Sequence, residues 1–200
     1  MPRTGLTSEQ LKEKAIDCAI AQMKLVGFDR VKLSDIAKSL NVSHAALYGH
    51  FSDKAALFDA VSERWLNKID AEQEALCIEH KPGDATERLA QWFINLHRMK
   101  VAKVMHEPEL FKAFNYSAAI EKPFVKKHMA TMNRQLETII SQAMESNLIQ
   151  KDDAKKVVSL FFEGTIGFHH PALVASRVNE NREEQLRMVL DVLLNGLKTG

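Results

Sequence analysis

The chain has 200 residues, 46% of them hydrophobic and 26% charged, and a formal net charge of +1 at pH 7. That is the profile of a globular protein with a sizeable core, and it excludes a disordered chain or one drawn to nucleic acid or membrane by a global field. Cys18 and Cys77 are too few for a disulfide framework or a zinc site, the opening "MPRTGLTSEQLKEK" lacks the apolar core of a signal peptide, and no run is long enough to span a bilayer, so a soluble, cytoplasmic chain is expected.

Taken in order, the elements are all helical. Thr7 with Gln10 forms a capping box and Leu6 with Leu11 a hydrophobic staple, starting a first helix whose apolar face is Leu11, Ala15, Cys18, Ala19, Met23 and Val26 and which Gly27 ends. Two short helices are predicted over 33–40 and 43–50, separated by "LNVS". A long one follows over 53–80, stopped by "KPGD". Asp84 with Glu87 caps the next, which carries Trp92, Phe93, Leu96 and Met99 and ends near "HEPE". A short helix over 110–115 leads to one over 124–146. Asp152 or Asp153 then caps a helix holding Val157 to Phe168, and the last runs over 180–198. No alternating strand pattern, internal repeat or low-complexity segment interrupts this series. The expected fold is all-α with about nine helices: a helix-turn-helix unit over 1–53 and a larger helical body over 54–200.

Residues 42–54, "VSHAALYGHFSDK", carry more chemistry than a core segment needs. With Ser43 as N-cap and Val42 and Leu47 as its staple, His44, Ala45 and Tyr48 share the face opposite Leu47. A small residue near a helix N-terminus, flanked by donors, suits entry into a major groove: Ala45 permits close approach, and Ser43 and His44 reach base edges. Tyr48 and His50 offer donors to phosphate. Ser52, as cap of the fourth helix, would place Lys54 in its first turn, where a cation and backbone N–H groups face the same phosphate.

"LSDIAKSLNVSHAALYGHFSDKAAL" resembles the helix-turn-helix signature of the TetR family of transcriptional regulators, at Ile36, Ala37, Val42, Ser43, "LYGHF" from Leu47 to Phe51, Lys54 and Leu57. "GFDRVKL" is similar to the family's run between its first two helices, and the resemblance covers about residues 8 to 58. It implies base contacts from Ser34, Ser43, His44 and Ala45, and phosphate contacts from Lys32, Tyr48, His50 and Lys54. Three positions depart from the family: Lys32 stands where Thr often caps the second helix, Asn41 where the turn usually has Gly, and Ala45 where Gly is frequent. Asn tolerates the left-handed conformation, so the turn should survive. Lysines and arginines barely outnumber acids over residues 1–60. Affinity must therefore come from local placement and from doubling the recognition helix in a dimer on a pseudo-palindromic operator, with half-sites about 34–36 Å apart or a multiple of that.

The body offers two further expectations. In "FFEGTIGFHHP" two glycines three apart suggest close approach by a neighbouring helix. The resemblance implies a homodimer seam from the last two helices, assigned to Gly164, Gly167, Phe168, Leu186, Val189, Leu190 and Leu193, with Met188 and Val192 on a second face. The aromatic and methionine-rich middle, Trp92, Phe93, Leu96, Met99, Phe111, Phe114, Phe124, His128, Met132, Phe161 and Phe162, reads either as plain core or as the wall of an apolar cavity. The family favours a cavity for a small-molecule effector. His169 and His170 point about 100° apart on a helix and lack a completing shell, so no metal or other cofactor is expected. An enzyme using His97, His128 or His169 as base finds no nucleophile–base, phosphate-loop or HExxH motif, leaving a ligand-responsive, DNA-binding regulator, with a helical interaction module as the alternative.

Overall fold

The computed structural model describes residues 5–78, 84–118 and 122–198. Its elements are α1 (Ser8–Val26), a 3-10 turn (Phe28–Arg30), α2 (Leu33–Ser39), α3 (His44–Tyr48), α4 (Lys54–Ile78), α5 (Ala85–His106), α6 (Pro108–Ala118), α7 (Pro123–Glu145), α8 (Ala154–His169), α9 (Pro171–Ser176) and α10 (Glu183–Leu197). No strand occurs among the described residues, so the all-α expectation holds. The predicted stops at "KPGD" and within "SAAIEKP" fall at least partly outside the described residues.

Two compact units emerge. The first comprises residues 1–65 and 106–122, the second residues 66–105 and 123–200. In the first, α1 opens with the anticipated capping box, Gln10 N–H donating to Thr7 and Thr7 N–H to the Gln10 side chain. Its face Ala15, Ile16, Ala19 and Met23 packs with Leu33, Ile36, Ala37, Leu47, Phe51, Leu57, Phe58 and Val61, joined by Leu110 and Ala113 of α6. Each large side chain removed from water in such a core contributes roughly 1.5–3 kcal/mol. The 3-10 turn is held by Glu109, whose carboxylate accepts the Phe28 N–H at 2.6 Å. Lys112, and then this backbone bond, hold the Glu109 carboxyl below its usual range.

In the second unit, α5, α7, α8 and α10 bury Trp92, Phe93, Leu96, Leu136, Ile139, Phe161, Leu186 and Leu190. α7 ends on Asn147 at φ 56°; the Leu148 N–H reaches the Ala143 carbonyl and the Asn147 N–H that of Met144, a Schellman termination with Asn in the left-handed position. Of the two aspartates expected to cap α8, Asp153 does so, accepting the Lys155 N–H. α9 was not anticipated; Pro171 occupies its first turn, where a missing N–H costs nothing. α8 meets α10 closely at Gly164, where a Cβ would stand 3.0 Å from Leu193 Cδ1. Arg182 donates to the Gly167 carbonyl at 2.7 Å and lies 4.3 Å over the Phe168 ring.

One cap differs from expectation. The Ala56 N–H donates to Asp53 Oδ1 at 2.7 Å, so Asp53 rather than Ser52 caps α4. A carboxylate there also complements the positive end of the helix dipole, which a hydroxyl does not.

Candidate nucleic-acid interface and effector site

The turn between α2 and α3 is built as the sequence demands. Asn41 takes φ 54°; its N–H bonds the Lys38 carbonyl and the Val42 N–H that of Ala37, both at 3.0 Å, again a Schellman pair that closes α2. The N-cap of α2, Lys32, makes no side-chain cap bond, as its lack of an acceptor requires. Ser43 then starts α3, its hydroxyl accepting the Ala46 N–H at 3.1 Å. That cap sets the helical phase: Leu47 is 1% exposed in the core, while Ser43, His44, Ala45 and Tyr48 face solvent. His44 and Tyr48, one turn apart, hold their rings 5.4 Å between centroids.

Ser34, the remaining residue assigned to bases, is half-buried; of those assigned to the backbone, Lys32 and Tyr48 are exposed, and His50 and Lys54 are half-buried. Lys54 is not idle: its ammonium donates to the Asp29 carbonyl at 2.7 Å and sits over Phe28 and Phe58, 5.8 and 5.1 Å from the ring centroids. The sequence offered no sign of this tie between the start of α4 and the 3-10 turn. A phosphate would have to share that ammonium with the carbonyl.

The eleven residues assigned to an effector cavity divide between the units. Phe111 and Phe114 lie in the first, edge-on to Trp65 at centroid distances of 6.5 and 4.6 Å. The others lie in the second, where Trp92, Phe93, Phe161 and Phe162 form a continuous aromatic cluster. Leu96, His128 and Met132 are buried; Met99, Phe124 and Phe162 are half-buried. Among the seam residues, Leu186, Leu190 and Phe168 are buried within the chain and Val189, Leu193 and Gly167 half-buried, whereas Gly164 is exposed. The strongly exposed apolar side chains of α10 are Met188 and Val192.

Sequence reasoning missed a polar network in the second unit. Asp70, Gln73, Glu74 and Cys77 occupy successive turns on one side of α4, facing α5 and α7. His128 Nδ1 donates to Asp70 Oδ1 at 2.5 Å. The Gln135 amide donates to the Asp70 carbonyl and to Glu74, both at 2.9 Å, and accepts the Trp92 indole N–H at 3.2 Å. Gln73 donates to the Trp92 carbonyl at 2.7 Å. Arg134, then Gln135, hold the Glu74 carboxyl below its ordinary value, and burial pushes the Cys77 thiol up to about 11, leaving it an inert thiol. A second buried group gathers at the end of α8: Lys100 donates to the His169 carbonyl at 2.6 Å, and His97 Nδ1 lies 2.8 Å from the Phe168 carbonyl. The signal for the α4 network was polar residue types at core-facing helical spacing.

A surface cleft of about 270 Å³ is lined by Glu72, Gln73, Asn95, Arg98 and Met99. No described helix is long and apolar enough to cross a membrane.

Comparison with known proteins bears on the family and the fold. The biofilm operon icaADBC HTH-type negative transcriptional regulator IcaR of Staphylococcus aureus is 43% identical over 49 residues, 24% of this chain and 26% of IcaR; the match thus spans about a quarter of that relative's length. A TetR-family transcriptional regulator from Pectobacterium atrosepticum has a similar fold, with a TM-score of 0.75 and 19% identity over 99% of each chain. So does SmeT, the repressor of the Stenotrophomonas maltophilia multidrug efflux pump SmeDEF, with a TM-score of 0.67 and 17% identity over 98% of this chain and 92% of SmeT; SmeT is also known in complex with triclosan. The sequence profile of bacterial regulatory proteins of the tetR family matches residues 15–61, and that of the tetracyclin repressor-like C-terminal domain matches residues 85–190. With both profiles matched in order along a helix-turn-helix unit and a helical body, the chain belongs to the TetR family of regulators.

Proposed function

We propose that the chain is a cytoplasmic, dimeric, sequence-specific DNA-binding repressor released from a pseudo-palindromic operator by a small apolar or amphipathic effector. The observation that carries this reading is the outward face of α3, where Ala45 lies between His44 and Tyr48 on a helix capped by Ser43. Base contacts fall to Ser34, Ser43, His44 and Ala45 and backbone contacts to Lys32, Tyr48, His50 and Lys54. Repression is favoured by IcaR, a negative regulator matched over 49 residues, and an effector by the triclosan complex of SmeT. Such an effector acts only through unequal affinity for the DNA-competent and incompetent states.

The dimer seam is placed on the exposed side of the last helices. Leu160 and Ile166 of α8 and Met188 and Val192 of α10 are each at least 42% exposed, while Leu186 and Leu190 are spent inside the chain.

Selection from a randomised duplex library tests the reading. Enrichment of one half-site in inverted pairs, with affinity falling steeply as salt rises, is the expected result; a pool with no common half-site would remove the regulator assignment.

A further inference from the structure

The residues assigned to DNA all precede α5, yet the unit that holds them also contains α6, which the chain reaches only after α5. Leu110 and Ala113 fasten α6 into the core of that unit, and Glu107, just ahead of α6, pairs with Lys24 of α1 at 2.5 Å. A helix anchored in this way delivers Glu109 to a fixed place. One oxygen of its carboxylate accepts the Phe28 N–H at 2.6 Å, and the other accepts from the Lys112 ammonium at 2.5 Å, so the group is held from two sides. Gly27 permits the approach: it takes φ 88°, and a Cβ there would stand 3.3 Å from the oxygen that holds Phe28.

The gripped turn leads directly to Lys54. The Phe28 ring lies 4.6 Å from that of Phe58, and the Lys54 ammonium sits over both rings while donating to the Asp29 carbonyl. Glu109 therefore holds the N–H of one residue of the 3-10 turn, and Lys54 holds the carbonyl of the next. An ammonium has three N–H donors, and this carbonyl takes one. Fixing a lysine side chain loses rotamer entropy; here that loss falls on folding, before any phosphate arrives. Charge does not explain the arrangement, because a carboxylate in this unit opposes a phosphate backbone. What Glu109 can add to binding is its bond to the turn.

We propose that Glu109 of α6 is a positioning residue for operator binding: through the 3-10 turn it aims the Lys54 ammonium, whose two remaining donors serve the phosphate backbone. Glu109 acts through Lys54 and not by touching DNA. The inference rests on the DNA-binding reading and adds to it a residue outside the helix-turn-helix segment.

The test uses the full chain and its selected duplex, reading affinity and the slope of log affinity against log salt. The variants are Glu109→Gln, Glu109→Asp, Lys54→Met, and Glu109→Asp combined with Lys54→Met. Gln reaches as far as Glu and still offers an oxygen, but drops the charge. Asp keeps the charge and is one carbon short, about 1.5 Å. Glu109→Gln should bind as tightly as the original chain or more so. Glu109→Asp should bind roughly ten-fold more weakly, two lysines per dimer having lost their aim, with the salt slope flattened by about two. In the Lys54→Met background, Glu109→Asp should bring no further loss, whereas a general loosening of the unit would still weaken binding there. Four results would overturn the proposal: Asp binding like the original, Gln as weak as Asp, the same loss from Asp with or without Lys54, or an Asp variant that circular dichroism shows unfolded at the assay temperature. An original chain that binds no duplex refutes the regulator assignment; one that binds its duplex yet gives any of these four results refutes this inference alone.

Discussion

Acid should strip stability from the second unit through His169. The imidazole is 8% exposed, its Nε2 lies 3.2 Å from the Phe162 carbonyl oxygen, and its ring is 5.4 Å from that of Phe162. Burial, and then the charge of Lys100, pushes its pKa down from 6.5 to about 4. Between those values the unfolded chain binds a proton that the folded chain refuses, so stability rises with pH across the window and is lost as pH falls through it. At about 1.4 kcal/mol per unit, the loss from pH 7 to pH 5 is about 2 kcal/mol, approaching about 3 kcal/mol below pH 4. His169→Gln removes the titration and keeps an N–H for the Phe162 carbonyl. Urea unfolding at pH 7 and pH 5 measures the difference. Of the two tryptophans, Trp92 is buried in the second unit, so its fluorescence in a Trp65→Phe background isolates the relevant transition. The histidine chain should lose about 2 kcal/mol more than the glutamine variant. Equal losses in the two would refute the claim that desolvation keeps this ring neutral.

Other substitutions probe separate parts of the account. Asn41 sits at φ 54°, so Asn41→Gly should leave thermal stability nearly unchanged, whereas Asn41→Val should cost about 1–2 kcal/mol by calorimetry. Gly164→Leu overpacks the approach to Leu193 and should destabilise by about 1–3 kcal/mol, with partial recovery in the double variant with Leu193→Ala; strict additivity would place the strain elsewhere. Val192 is 71% exposed, so Val192→Glu should barely change unfolding yet shift sedimentation from dimer to monomer. An unaltered profile would move the seam off this face.

Much of the fold was legible because caps and breakers act locally. Thr7 and Gln10, Asn41, Ser43 and Asp153 each bond backbone within a few residues, and each does in the structure what its type and neighbours demand. The outward side of α3 followed from one cap and one buried leucine. Features set by tertiary partners were not legible. Lys54 bonds the carbonyl of Asp29, and Glu109 reaches Phe28 across 81 positions; neither pairing leaves a trace in local spacing. On α10 the pattern showed two apolar faces without saying which is spent inside the chain, and Leu186 and Leu190 prove to be. The network of Asp70, Gln73, His128 and Gln135 escaped because polar residues at core spacing were read against an apolar expectation.

The central claim is that the Ala45 side of α3 reads bases while flanking donors hold the backbone, and variant binding measures it most directly. Affinities of the original chain, His44→Ala and Tyr48→Phe are compared on the selected duplex and on its single-base variants at fixed salt. Tyr48→Phe should weaken binding to every duplex by a similar factor, whereas His44→Ala should flatten preference at one base position per half-site. If His44→Ala leaves the order of preference intact, or if Tyr48→Phe reorders it, α3 does not enter the groove as described.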